Sequence, residues 1–259
     1  MTNNYASDYK ITASQLNAFD WYLHNEKEDA EQQLLDTINR KDAVYSEAMA
    51  KGIAFENIIN RCLCDNDLLE NIKNNEKIRA EFRGNEQFFN FYFDTKLILK
   101  MHNSLELQRV HSHQVYVTKN IKLEKSNKNV ELYGIVDYLC PTSVIDLKTT
   151  TDYNFPKYIT NWQLYVYGYC LSGKVASVDF VVADFTNKKT AYHNEVYQEI
   201  YAIEHINYYQ YALNNFITLF VEWLENNKEK ITDKKIFGGE NEVQHKQEYS
   251  INLYPMEEE

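Results

Sequence analysis

At 259 residues the chain has room for one large domain or two small ones, and its 44% apolar and 25% charged residues are those of a globular protein with a sizeable core. The formal charge of −11 argues against a general nucleic-acid binder, which carries a basic footprint; only a local lysine patch or bound cations act against such a field. With 21 tyrosines but only 7 glycines and 3 prolines, the composition points to long elements, mostly helices, and few elaborate loops.

In chain order, Ile11-Thr12-Ala13-Ser14 precedes a helical pattern through Leu16, Phe19 and Leu23, with Thr12 or Ser14 as the N-cap. A polar, charged segment follows from Glu26 to Asp42. A second helix is expected from Tyr45 to Cys64, where Phe55, Ile58, Ile59, Cys62 and Leu63 form an apolar stripe. Residues Asn66 to Arg83 read as a loose helix or linker, and Phe88, Phe89, Tyr92, Phe93 and Leu97 as a helix ending near His102. The period then changes. His113–Thr118 is expected as a strand, followed by strands Val130–Leu139 and Val144–Thr149 around the turn Cys140-Pro141-Thr142-Ser143. Pro156 reads as the first turn of a helix through Trp162, Gln163, Tyr167 and Leu171 that stops near Gly173. Val175–Phe185 is a central apolar strand, Thr186–Lys189 a turn, and Thr190–Val196 a return strand. Glu199–Glu225 closes the chain as a long helix, and the tail ending in Glu257-Glu258-Glu259 is expected to fray.

The sum is an α+β fold, an α/β/α sandwich whose mixed, largely antiparallel sheet is flanked by helices. A single domain is expected, with residues 1–110 mainly helical, 111–198 the sheet core and 199–259 the closing helix and tail. No apolar run has the length of a membrane span, and the N-terminus lacks the basic start and apolar stretch of a signal peptide. Cys62, Cys64, Cys140 and Cys170 form no Cys-x-x-Cys pair, and the histidines complete no zinc pattern; reduced thiols in a cytoplasm follow. Lysines cluster at 119, 122, 125 and 128 and again at 228, 230, 234 and 235, where solvated loop positions account for each cluster taken alone.

The chemistry concentrates in Gly134-Ile135-Val136-Asp137 and Asp146-Leu147-Lys148. If the hairpin closes symmetrically, Leu139 faces Val144, Asp137 faces Asp146, and Lys148 lies beside Asp146 on one face. Two opposed carboxylates repel, and a divalent cation between them removes the penalty. Hard cations such as Mg²⁺ take such oxygen ligands, and a lysine nearby stabilises negative charge developing on phosphorus. Glu56, beside the apolar stripe of its helix, is a candidate third ligand, with Gly52 permitting close backbone approach. Gln163 and Tyr167, at i and i+4, share a helix face.

Together, Asp137, Asp146-Leu147-Lys148-Thr149 and Gln163-x-x-x-Tyr167 resemble the PD-(D/E)xK nuclease superfamily, in its RecB-type and lambda-exonuclease-like branch. Gly134-x-x-Asp137 matches the branch's spacing. Ile11-Thr12-Ala13-Ser14-Gln15-Leu16 is similar to its S-x-S-x-L opening, and Lys51-Gly52-Ile53-Ala54-Phe55-Glu56 to its R-G-x-x-x-H-E helix start. The resemblance spans residues 11 to 170 with long unmatched stretches. It implies DNA phosphodiester hydrolysis with Mg²⁺ or Mn²⁺ held by Asp137, Asp146, the Leu147 carbonyl and Glu56. Lys148 would steer the attacking water, and Gln163 and Tyr167 would orient the DNA backbone. It further implies an exonuclease of recombination or repair, as in phage systems, working with DNA, as a homo-oligomer or beside a single-strand-annealing partner protein. The chain departs from the pattern in three places: Phe55 stands where many members carry a metal-binding histidine, no Cys-Pro pair follows the first helix, and no cysteine follows Cys170, which argues against an iron–sulfur cluster. No Walker-type phosphate loop is present, so ATP is not indicated. The alternatives are a nuclease-like fold that binds DNA or a protein without cutting, and a metal-dependent enzyme acting on a smaller phosphate ester.

Overall fold

Thr12 sets the first junction of the fold. It ends strand Tyr9–Thr12 (β1) and caps helix Ala13–Leu23 (α1). Its hydroxyl accepts from Gln15 N at 3.3 Å, and the Gln15 side chain accepts from Thr12 N at 2.9 Å, a reciprocal capping box. The computed structural model describes residues 7–41, 44–188, 191–206, 210–238 and 249–255. Helices Ala30–Ile38 (α2), Glu47–Cys62 (α3) and Asn66–Lys73 (α4) follow, then a hairpin of Lys77–Gly84 (β2) and Gln87–Asp94 (β3), and helix Thr95–Leu107 (α5). The central run is Ser112–Leu123 (β4), Lys128–Leu139 (β5), Ser143–Thr150 (β6), helix Trp162–Cys170 (α6), Ser177–Lys188 (β7) and Ala191–Ala202 (β8). Helices Ile203–Ile206 (α7) and Gln210–Asn226 (α8), two short 3₁₀ turns and strand Tyr249–Pro255 (β9) complete the described chain.

The main sheet has the order β1-β5-β6-β7-β8, with β4 also on β5; a second sheet has the order β3-β2-β9. β1 runs parallel to β5 and β6 parallel to β7, while β4–β5, β5–β6 and β7–β8 are antiparallel. A parallel neighbour needs a crossover, and α6 supplies it between β6 and β7. β7 is apolar on both sides because both are covered. Val178, Phe180 and Val182 enter one core with α1, α2, α6 and α8, and Val181 and Ala183 enter a second with α3, α5 and the small sheet. The mixed α+β sandwich expected from the sequence is the architecture found. Among the described residues no helix is long and apolar enough to cross a membrane.

Several elements differ from expectation. The charged stretch after α1 contains α2, whose Leu34, Leu35 and Ile38 are buried against α1's side of the sheet. Asn66–Arg83 is a helix followed by a strand. Phe88–Phe93 is strand rather than helix, because Phe91 and Phe93 point into the core while Phe88 and Tyr92 alternate outward. Pro156 opens no helix; α6 begins six residues later, where the Asn161 side chain accepts from Gln163 N at 2.9 Å. Glu199–Ala202 belong to β8, so the closing helix starts later than expected. Residues 251 and 253 of β9 pack on the second core, a strand not anticipated in the tail. Residues 186–188, expected as a turn, extend β7 instead, and the expected turn's position 189, the return strand's position 190 and the acidic end at 256–259 lie outside the described residues.

Phe55 is fully buried and packs its ring 5.5 Å from Phe93 and 5.2 Å from Phe185, joining α3 to both sheets. Replacing it by alanine is expected to cost about 3–5 kcal/mol of unfolding free energy in a denaturant titration. A loss under about 1 kcal/mol would contradict this packing.

Candidate active site

β5 has two hydrogen-bonding edges, and they are used differently. One edge pairs with β4 from Ser112–Leu139 to Leu123–Lys128. The other is shared: β1 takes Val130 to Tyr133, and β6 pairs only with Tyr138 and Leu139. Gly134 to Asp137 are left between these neighbours. The side-chain alternation also slips there. Leu132 and Val136 pack in the core on the α6 side, whereas Tyr138 packs in the core on the α3 side, although residues two apart normally share a face. Gln114, opposite Asp137 in the β4 register, has φ of 51° and drops out of the ladder.

Side chains replace the missing ladder bonds. Asp137 Oδ2 accepts from the Leu147 backbone N–H at 2.7 Å, and the Tyr167 hydroxyl donates to the Ile135 carbonyl at 2.8 Å. These bonds satisfy backbone groups that would otherwise lack partners. A Cβ on residue 134 would lie 2.6 Å from Tyr167 Cε1, so only glycine admits the ring. The Gly134-x-x-Asp137 spacing thus seats one side chain of α6 and reaches β6 three residues on. N–H and C=O of one strand residue point to the same neighbour, so the Leu147 carbonyl also faces this notch.

The expected residues gather around it. Register is as read from the sequence, Leu139 with Val144, but the ladder stops at Tyr138–Ile145, before Asp137 and Asp146 would pair. Asp146, almost fully buried, meets Lys148 Nζ through Oδ2 at 2.5 Å and accepts from Gln163 Nε2 on Oδ1 at 3.3 Å. Lys148 Nζ also donates to Gln163 Oε1 at 2.7 Å. Gln163 Nε2 reaches the Tyr167 hydroxyl at 3.2 Å. Tyr167 is buried, and its proton is directed to Ile135; its place is to position Gln163 and the β5 backbone rather than to reach outward as expected. Glu56 enters from α3, where Gly52 lies so close to β6 that a Cβ would stand 2.8 Å from Thr149 Oγ1. Gln114, which no sequence signal marked, donates to Glu56 Oε1 at 3.1 Å and approaches Asp137 Oδ1 at 3.5 Å. Its signal is the register with Asp137, invisible until β4 is paired.

The charges are in conflict. Burial, then the Asp146 and Glu56 carboxylates, push Asp137 up to about 8. Burial and then Asp146 also raise Glu56. The donors are hard oxygens of the kind Mg²⁺ and Mn²⁺ take, and a cation among them would relieve the repulsion. They do not form a closed cage: among the described residues no three His, Cys, Asp or Glu side chains are grouped to hold an ion unaided. Asp146 is held by Lys148 and Gln163, while Glu56 is tied to Asp137 through Gln114. The lysine clusters make local contacts: Lys119 Nζ donates to the Tyr169 carbonyl, and Lys228 and Lys230 pair with Glu225 and Glu31. Cys62, Cys140 and Cys170 are buried and Cys64 exposed, all four as free thiols.

No family model and no curated protein matches the sequence. Among solved structures, the chain is similar to the crystal structure of SSO0001, at 13% identity and a TM-score of 0.38, over 82% of this chain and 79% of that one. It is also similar to Rai1 of S. pombe, at 12% identity and a TM-score of 0.29, over 68% of this chain and 63% of that one. Likeness at that level carries no functional argument.

Asp137→Asn keeps an acceptor for Leu147 N–H and removes one of the repelling charges. In chelator at pH 8 it is expected to melt higher than the wild type by roughly 2–4 °C, the shift about 1 kcal/mol makes in a domain of this size. A lower melting temperature would show that the carboxylate charge stabilises the notch.

Proposed function

We propose that the notch is the active site of a divalent-cation-dependent DNA nuclease that hydrolyses phosphodiester bonds, most simply as an exonuclease. The observation that carries this reading is the convergence of Asp137, Asp146 and Lys148 at the one stretch where β5 is unpaired between β1 and β6, with Gln163 closing it from α6. The resemblance of these residues and spacings to the PD-(D/E)xK pattern supplies the reaction class. Asp137, Asp146, the Leu147 carbonyl and Glu56 would hold Mg²⁺ or Mn²⁺. Bound there, the ion would neutralise the crowded carboxylates and polarise a phosphoryl oxygen.

The chain's own groups do the rest. Lys148 Nζ, already gripped by Asp146 and Gln163, is a preorganised point charge that donates to the attacking water or to the phosphoryl oxygens as negative charge builds. Gln163 holds that ammonium through Oε1 and Asp146 through Nε2, fixing both relative to α6. Tyr167 holds Gln163 in turn and keeps the notch from closing into a continuous ladder. Phe55 takes no part, its ring being fully buried against Phe93 and Phe185; Glu56, the next residue, is the α3 carboxylate that would serve as a ligand. The reading also places the protein in a reducing cytoplasm, with DNA as substrate and a second copy or an annealing protein as working partner.

End-labelled linear and closed circular DNA, incubated with Mg²⁺, Mn²⁺ or chelator, tests this. Cleavage of the linear form only with metal is expected, and Asp146→Ala or Lys148→Ala should lower the rate by at least about 10²-fold with circular dichroism unchanged. Wild-type cleavage by either variant, or cleavage indifferent to chelator, would refute the assignment. Salt-dependent DNA binding with no cleavage in any metal would select the non-cutting alternative.

A further inference from the structure

The small sheet buries one face and shows the other. Ile78, Ala80 and Phe82 of β2 point into the core, so Arg79, Glu81 and Arg83 point outward. The registers set three cross-strand rows on that outer face. Arg83 lies between Phe88 and Ser250, Glu81 between Asn90 and Asn252, and Arg79 between Tyr92 and Tyr254. Three of these are large aromatic side chains left in solvent: Phe88 is 50% exposed, Tyr92 55% and Tyr254 38%. Arg79 and Arg83 are two of only five arginines in the chain.

The cations and rings are interleaved and held. The Arg79 guanidinium lies 4.5 Å from the Tyr254 ring centre, and that of Arg83 lies 5.2 Å from the centre of Phe88. Glu81, buried beneath them, accepts from Arg79 at 2.9 Å on one oxygen and from Arg83 at 3.3 Å on the other, and the Tyr254 hydroxyl donates to it at 3.3 Å. One carboxylate thus orients two guanidinium planes and one ring. Strand spacing sets the Cα atoms of the two arginines roughly 13 Å apart, while Glu81 draws their guanidinium groups together. Two guanidinium groups against one carboxylate leave this face a single net positive charge on a chain whose formal charge is −11, a local complement to a phosphate of a polymer that also carries flat apolar surfaces.

We propose that this face is a stacking platform for single-stranded nucleic acid. Bases stack on exposed aromatic rings and on guanidinium planes, and arginines meet the phosphates; this combination is tolerant of sequence and needs no basic surface over the whole protein. A duplex hides its base faces and cannot use the exposed rings. The inference rests on the nucleic-acid reading of the notch for its ligand class, and α3 packs against both the small sheet and the notch. The hairpin end of the sheet carries Arg83 and Gly84, and Gly84 pairs with Tyr249 of β9. Tyr249 faces inward, stacked on Phe82 at 5.7 Å and edge-on to Tyr45, the residue before the N-cap of α3. The hairpin end of the sheet thus packs at the start of α3, the helix that carries Glu56, and the platform lies on the sheet's opposite face.

Binding is measured on the full chain in chelator, by fluorescence anisotropy of a labelled oligothymidylate and of its duplex with oligoadenylate. The wild type is expected to bind the single strand more tightly than the duplex. Tyr92→Ala and Phe88→Ala should each weaken single-strand binding about tenfold, while Tyr92→Phe retains it. Arg83→Gln should flatten the dependence of log affinity on log salt by about 0.7. Tyr211→Ala removes a still more exposed ring on α8 and should leave binding unchanged. The proposal is overturned if the wild type does not bind the single strand, or if Tyr92→Ala and Phe88→Ala bind it as the wild type does. Cleavage with Mg²⁺ is scored separately: variants that bind normally while the wild type cuts would remove the platform and leave the notch, and binding lost in the variants with no cleavage by the wild type would do the reverse.

Discussion

A single carboxylate takes the place of a ladder bond, and much of the candidate site follows from that exchange. Asp137 Oδ2 accepts the N–H of Leu147 where β5 and β6 would otherwise continue to pair backbone to backbone. A continued ladder would set Asp137 directly opposite Asp146, with both carboxylates on one surface, an arrangement that repels. The observed geometry opens the strands instead. It leaves the Ile135 carbonyl for Tyr167, brings the Leu147 carbonyl to the gap, and keeps Asp146 on the α6 side with Lys148 and Gln163.

Around this opening the fold is stiff. β7, buried on both faces, backs β6 along eight paired residues, and β4 backs β5 on its far edge. Gly134 and Gly52 let α6 and α3 approach the strands from opposite sides to distances any larger residue would forbid. The conflict of charge is therefore kept rather than relaxed away. A buried carboxylate raised to about 8 by its surroundings is a cost that a fold carries where function requires it.

The parts of this arrangement that were legible in the sequence are those set by local rules. The hairpin register followed from the four-residue turn at Cys140–Ser143 and the strands on each side, and α1 was announced by Thr12 and its apolar spacing. Phe88–Phe93 was misread because five aromatic and apolar residues close together satisfy a helical period as easily as a strand's; only pairing with β2 decides it. β9 was hidden for the same reason, since a strand seven residues long at the end of a polar tail declares itself only through its partner. The slip in alternation at Asp137 and the part played by Gln114 are tertiary facts. Spacing named Asp137, Asp146 and Lys148 correctly as neighbours, but it could not say that Asp137 would leave the ladder to make them so.

Binding of one divalent cation by the crowded oxygens of the notch is the proposal on which the site's chemistry turns. The most direct measurement is a Mn²⁺ titration followed by electron paramagnetic resonance, on the wild type and on the double variant Asp137→Asn, Asp146→Asn. The account predicts one Mn²⁺ site on the wild type that competes with Mg²⁺ and is missing from a double variant of unchanged circular dichroism. Equal Mn²⁺ binding by the two proteins would contradict it.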